Sequence, residues 1–210
     1  MLQKNLSQRF FALLIIGLMV FILTKEEPPF FDVVIQAGHE GRTKGNTGAE
    51  GKKYREQEWT VIVANEVAKV LEKWNIKVKR MPAKISFVKT KIAIAIHFDG
   101  SVKPCRSGAS IGYPNKNSFD FAQRWKKRYK KYYPFRWHKD KFTKNLKHYY
   151  GYRRLNAHKF LLLELGEITC SRQTSWLKPR LKKIAYLIAL SVAKELKPDF
   201  NPKNGFLAQD

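Results

Sequence analysis

Residues 33–71 constrain this chain more than any other stretch, because a strand, a glycine-punctuated loop and a helix follow one another there without a break. Val33, Val34 and Ile35 form a short apolar run that ends at Gly38, His39 and Gly41, and the loop beyond carries Gly45, Gly48 and Gly51. Neighbouring glycines leave room around a histidine released from a strand end, so His39 is presented to a ligand. From Glu56 onward Trp59, Val63, Val67, Val70 and Leu71 recur at helical spacing. Glu56 then falls in the first turn of that helix and points back toward the strand ends. An imidazole and a carboxylate thereby meet at one edge of a sheet, which is half of what a zinc site needs.

The other half lies downstream. Residues 91–97 read KIAIAIH, with Ile92, Ile94 and Ile96 on one face and Ala93 and Ala95 on the other, as in a strand covered on both sides. His97 emerges at its end, before a polar Asp99-Gly100-Ser101 turn. Residues 160–166, FLLLELG, read as an apolar strand carrying a single carboxylate, Glu164, near its end. An unpaired buried carboxylate costs several kcal/mol. A divalent cation with its water would compensate it.

The order His39 in AGHEG, Glu56 at a helix start, His97 in AIHFDG and Glu164 in LLLELGE resembles the zinc-dependent N-acetylmuramoyl-L-alanine amidases of the type 3 group, across residues 33–196. In that family a GHGG-type loop, an E-x-x-x-x-L helix start, an S-I-H strand end and an E-x-G-F strand recur in this order. The resemblance implies that His39, Glu56 and His97 ligate Zn2+ and that Glu164 is the catalytic carboxylate. It also implies peptidoglycan as substrate, cut at the amide between N-acetylmuramic acid and L-alanine. Helix register favours Glu56 over Glu58 as the ligand. There are three departures from the family pattern: Glu40 replaces a glycine, Phe98-Asp99 replaces a small residue and Asn, and Glu167 replaces Phe. Two rival functions stand beside the amidase: another zinc peptidase, and a non-catalytic polyanion- or wall-binding protein on a retained amidase scaffold.

Forty-one Lys and Arg against 17 acidic residues give a formal charge of +24 and a pI near 10.1, which attracts polyanions. Anionic cell-envelope polymers are the expected partners, with nucleic acid the less favoured choice. Lys4 and Arg9 precede an apolar run over residues 10–23, with Lys25-Glu26-Glu27 after it. That length and charge pattern predict an N-terminal hydrophobic helix serving as a signal anchor, or else a cleaved signal, with the rest of the chain on the envelope or periplasmic side of the cytoplasmic membrane. The expected organisation is therefore residues 1–30 as anchor, 31–200 as the catalytic domain and 201–210 as tail. Cys105 and Cys170 are the only cysteines, open to either a disulfide or two free thiols.

Strands over 76–81 and 107–113 complete an alternating pattern that predicts a single layered α/β domain with a central, mostly parallel sheet flanked by helices. Residues 116–159 are basic and aromatic. Phe119, Phe121, Ala122, Trp125 and Tyr129 fit one side of a covering helix. The remaining rings read as a surface on which sugars stack and beside which anions pair with cations. A polar loop over 169–174 and one final helix over 176–196, with Pro179 in its first turn, close the chain. His158 is a candidate to support the site from behind, being near Glu164 in sequence.

Overall fold

The computed structural model describes residues 28–202. The apolar run at 10–23 and the tail at 203–210 lie outside the described residues, and among those described no helix is long and apolar enough to cross a membrane. The three runs that are apolar on both faces, β1 (Phe30–Ala37), β3 (Lys89–Asp99) and β5 (Asn156–Glu167), take the central places of a five-stranded sheet. Its order is β2-β1-β3-β5-β4, with β2 (Val78–Met81) and β4 (Ser110–Gly112) at the edges. β2, β1, β3 and β5 run parallel, and only β4 is antiparallel to its neighbour. This is the mostly parallel α/β sheet that the alternating pattern predicts.

Side-chain alternation gives the two faces of the sheet different covers. On one, Val33, Ile35, Ile92, Ile94, Ile96, Leu161 and Leu163 pack against helices α1 (Glu56–Lys73), α2 (Phe119–Lys130) and α6 (Leu181–Leu196). On the other, Val34, Ala93, Ala95, Phe160 and Leu162 meet Leu146, Tyr149 and Leu155 from the short helices α3 (Lys144–His148) and α4 (Gly151–Arg154) and their connections. Continuing the alternation places Gln36, His97 and Glu164 on this second, thinly covered face. These candidate groups thus lie on the side where the cover is short and irregular.

Three expectations are corrected. The polar loop at 169–174 is largely helix α5 (Ser171–Leu177), and the single closing helix is instead α5, a 3-10 turn at Lys178–Arg180 and then α6. Pro179 has no N–H to donate to the preceding turn, so the α-helical ladder breaks where the sequence pattern would carry it through. Trp125 and Tyr129 are buried on the covering helix as its spacing predicts, the Tyr129 hydroxyl donating to the Leu165 carbonyl at 2.8 Å. The other rings of 116–159, however, are not an open ring surface: Tyr133 and Tyr149 are buried, and Tyr132, Phe135, Trp137, Tyr150 and Tyr152 are half-buried against the two cores. The cations of the segment stay outside while most of its rings build core.

Candidate metal centre and its buried carboxylates

β1 delivers His39 two residues beyond its end, in a left-handed conformation at φ 62° that a non-glycine residue seldom holds. The Nδ1–H of His39 donates to the Asn46 carbonyl at 2.6 Å, which leaves Nε2 as the free lone pair, 3.3 Å from Glu56 Oε1. Glu56, in the first turn of α1, is buried, and both of its oxygens are in use. Oε2 accepts from the Ala49 N–H at 2.8 Å, while Oε1 accepts from the Phe98 N–H at 3.1 Å and lies 2.9 Å from His97 Nδ1. His97 Nε2 donates to the Tyr149 hydroxyl at 3.4 Å, and that hydroxyl donates in turn to Gln36 Oε1 at 2.8 Å.

One ligand atom from each of His39, Glu56 and His97 lies within 4.8 Å of the other two. Two imidazoles whose remaining N–H groups are each bound to an oxygen, and one carboxylate oriented by two backbone amides, form a donor set that suits zinc. Electrostatics agree with a site built for positive charge. Burial alone would raise the Glu56 carboxyl, but His39 and His97, which donate to it when protonated, outweigh that and lower its pKa to about 2. Burial likewise opposes protonation of His39, yet its bond to Glu56 leaves its pKa raised.

Two glycines make this convergence sterically feasible. A Cβ on Gly38 would lie 2.4 to 2.6 Å from three atoms of the His97 ring. Gly48, at φ 94°, is equally confined: a Cβ there would come within 2.9 Å of Glu56 Oε2 and 3.0 Å of the His39 ring. The loop glycines therefore clear space for all three side chains, not for His39 alone.

Glu164 stands opposite His97 in the β3–β5 register, three residues short of the end of its strand. It is buried, and its Oε2 has no hydrogen-bond partner among the described residues. Burial pushes its carboxyl well above the usual carboxylate range, and the charges of Glu56 and Asp99 push the same way. With His39, Glu56 and His97 it lines an open cleft of about 510 Å³ whose rim includes Asn145 and Thr169.

The three departures from the family pattern have partners of their own. Glu40 pairs with Arg80 at 2.8 Å. Asp99 accepts from the Gly100 N–H at 2.8 Å and from the Ser107 hydroxyl, which lies 3.1 Å from His138 Nε2. Glu167, with no solvent exposure, accepts from the Cys105 N–H at 2.7 Å, the Ser107 N–H at 2.6 Å and the Thr169 hydroxyl at 2.6 Å. Cys105 and Cys170 are joined by a disulfide, so the segment from Gly100 to Ser107, whose first three residues line the cleft, is fastened near the end of β5 both by this bond and through Glu167.

Sequence reasoning misses Tyr149 and Gln36 behind His97, and also the backbone groups of Asn46, Ala49 and Phe98. Tyr149 is one ring among many in its segment and carries no distinguishing pattern. His158 does not support the site. It is exposed and lies six residues before Glu164 on β5, about 20 Å away along an extended strand.

A family model described as N-acetylmuramoyl-L-alanine amidase matches residues 33–194. No curated protein matches the chain. Among solved structures, the N-acetylmuramoyl-L-alanine amidase AmiC2 of Nostoc punctiforme superposes with a TM-score of 0.62 at 18% identity, over 79% of this chain and 96% of that one. The catalytic domain of CwlV, an N-acetylmuramoyl-L-alanine amidase from Bacillus (Paenibacillus) polymyxa var. colistinus, gives 0.61 at 20% identity, over 78% and 97%. An N-acetylmuramoyl-L-alanine amidase from Clostridium difficile 630 gives 0.62 at 18%, over 83% and 100%. At these identities the superpositions establish a shared fold.

Proposed function

The chain belongs to the N-acetylmuramoyl-L-alanine amidase family, and from that premise we propose that it is a peptidoglycan hydrolase that uses zinc held by His39, Glu56 and His97. Its substrate bond is the amide between the lactyl group of N-acetylmuramic acid and L-alanine. The observation that carries this reading is the convergence of three ligand atoms in one cleft with a buried carboxylate that has an unpartnered oxygen. Zinc would supply Lewis-acid polarisation of the substrate carbonyl and activation of a water.

The protein's own groups do the rest. Tyr149 and Gln36 keep the His97 proton on Nε2, so that Nδ1 faces the centre as a lone pair. Asn46 does the same for His39 from the opposite nitrogen. Glu164, whose proton affinity is raised by burial and by neighbouring negative charge, takes a proton from the attacking water and hands it to the leaving amine nitrogen. The Ala49 and Phe98 amides hold Glu56 ionised and aimed.

We assign residues 31–200 to this catalytic unit, residues 1–30 to a membrane anchor or signal, and 201–210 to a tail. The site then acts on the envelope side of the cytoplasmic membrane, and the chain's positive charge provides affinity for anionic wall polymers. Metal analysis of the purified chain together with a peptidoglycan zymogram tests the reading. About one zinc per chain and a clearing zone that Glu164→Ala abolishes are expected. A zinc-free chain that still clears peptidoglycan, or a zinc-loaded chain that binds polyanions and clears nothing, overturns it.

A further inference from the structure

The strand ends opposite the candidate metal centre carry a cluster of exposed rings and cations that the proposed chemistry does not use. β1 begins at Phe30, which is 48% exposed, and β3 begins beside Phe87, which is 61% exposed. Lys77 and Lys79, at the start of β2, stand 5.0 and 5.8 Å from the centre of the Phe31 ring, and Lys91 stands 5.8 Å from that of Phe30. The carboxylate among them, Asp32, is taken by Lys91 at 2.7 Å and by the Lys77 N–H at 3.2 Å. Aromatic rings with lysine heads beside them suit the boundary between lipid headgroups and acyl chains.

Chain connectivity brings a bilayer to the same end. The apolar run ends at Leu23, seven residues before Phe30, and seven extended residues reach at most about 25 Å. With residues 10–23 in a membrane, this end of the sheet is tethered against the lipid surface. We propose that Phe30, Phe87, Lys77 and Lys79 form a membrane-facing pole that docks on an anionic phospholipid bilayer and holds the cleft away from it. β1 is eight residues long and starts at Phe30 in this pole, so its other end, where the cleft opens, lies seven steps or roughly 23 Å farther out at 3.3 Å per residue. Docking in this orientation rests on the anchor reading of residues 10–23 and is independent of the reaction catalysed.

The full chain, reconstituted into vesicles rich in phosphatidylglycerol, tests this with a fluorophore on Ser86→Cys or, separately, on Asn145→Cys at the cleft rim. Quenching by a nitroxide on the lipid headgroups is expected to be several-fold stronger at residue 86 than at residue 145. Replacing the lipid with phosphatidylcholine, or introducing Lys77→Glu with Lys79→Glu, lowers quenching at 86 while the chain still floats with the vesicles. Equal quenching at both positions, stronger quenching at 145, or no response to charge reversal overturns the proposal and leaves the anchor reading intact. Dimers crosslinked through residue 86 in place of quenching assign the pole to a second copy of the chain. A chain that does not float with vesicles overturns both docking and anchor.

Discussion

Glu164 and Glu167 stand three residues apart on β5, and both are buried. Glu167 accepts hydrogen bonds from two backbone amides and a hydroxyl, and its own N–H donates to Gln173 Oε1 at 2.8 Å. Glu164 has an oxygen with no partner among the described residues, and burial drives its proton affinity up. A carboxylate with its lone pairs filled fastens structure together, whereas one left short of partners is free to exchange a proton and tolerates its position only at a cost. The same residue type on one strand thus serves the fold at one position and is available to chemistry at the other.

Substitutions that separate activity from stability can break this comparison. Glu164→Gln is expected to lower peptidoglycan hydrolysis about 10²- to 10⁴-fold with no loss of thermal midpoint, as read by dye release and calorimetry. A lower midpoint with activity retained would make Glu164 a structural residue like its neighbour. Glu167→Ala should behave in the opposite way, with roughly 3 to 5 kcal/mol of stability lost as three donors lose their acceptor. Denaturant titration measures that loss, and activity per folded molecule should change far less than in Glu164→Gln.

Cys105 and Cys170 are 65 residues apart in sequence, and reduction is expected to cost about 2 to 4 kcal/mol of stability. The loss should be partly shared with Glu167→Ala, because both hold the same segment. Strict additivity in a double perturbation would show that the two fastenings are independent. The smallest effect belongs to Glu195, an ion-paired carboxylate away from the cleft. Burial raises its pKa, but bonds from Lys159 and Arg124 outweigh that and leave it lowered. A depressed folded-state pKa means stability present above the unfolded carboxylate range and lost as pH falls through the folded value. With Arg124 largely exposed, Glu195→Gln should flatten the acid limb of the stability curve by under about 1 kcal/mol. A larger change would mean that this pair is better shielded than its exposure indicates.

What the chain discloses before folding follows the range of the interactions involved. The apolar runs at 33–35, 91–97 and 160–166 and the helical spacing after Glu56 are local patterns, and they mark the central strands and α1. His39, Glu56 and His97 could be singled out because each sits where a periodic pattern starts or stops. The groups that orient them carry no pattern, and some are distant in sequence: Tyr149 reaches His97 across 52 residues and Phe98 offers Glu56 a backbone amide across 42, while Asn46 and Ala49 act from only seven residues away through backbone groups. Glu167 looks like a lost family residue until the Cys105 and Ser107 amides, some 60 residues back in sequence, are brought to it beside the neighbouring Thr169 hydroxyl. Pro179 shows the limit from the other side, since the apolar periodicity continues across it while the missing N–H does not allow the helix to do so.

Mass spectrometry of peptidoglycan digested by the purified, zinc-replete chain tests the central claim most directly. The account predicts released stem peptides that begin with a free L-alanine amine, glycan strands left whole, and no release by Glu164→Gln. Peptides cut between amino acids, or release that Glu164→Gln leaves undiminished, would contradict it.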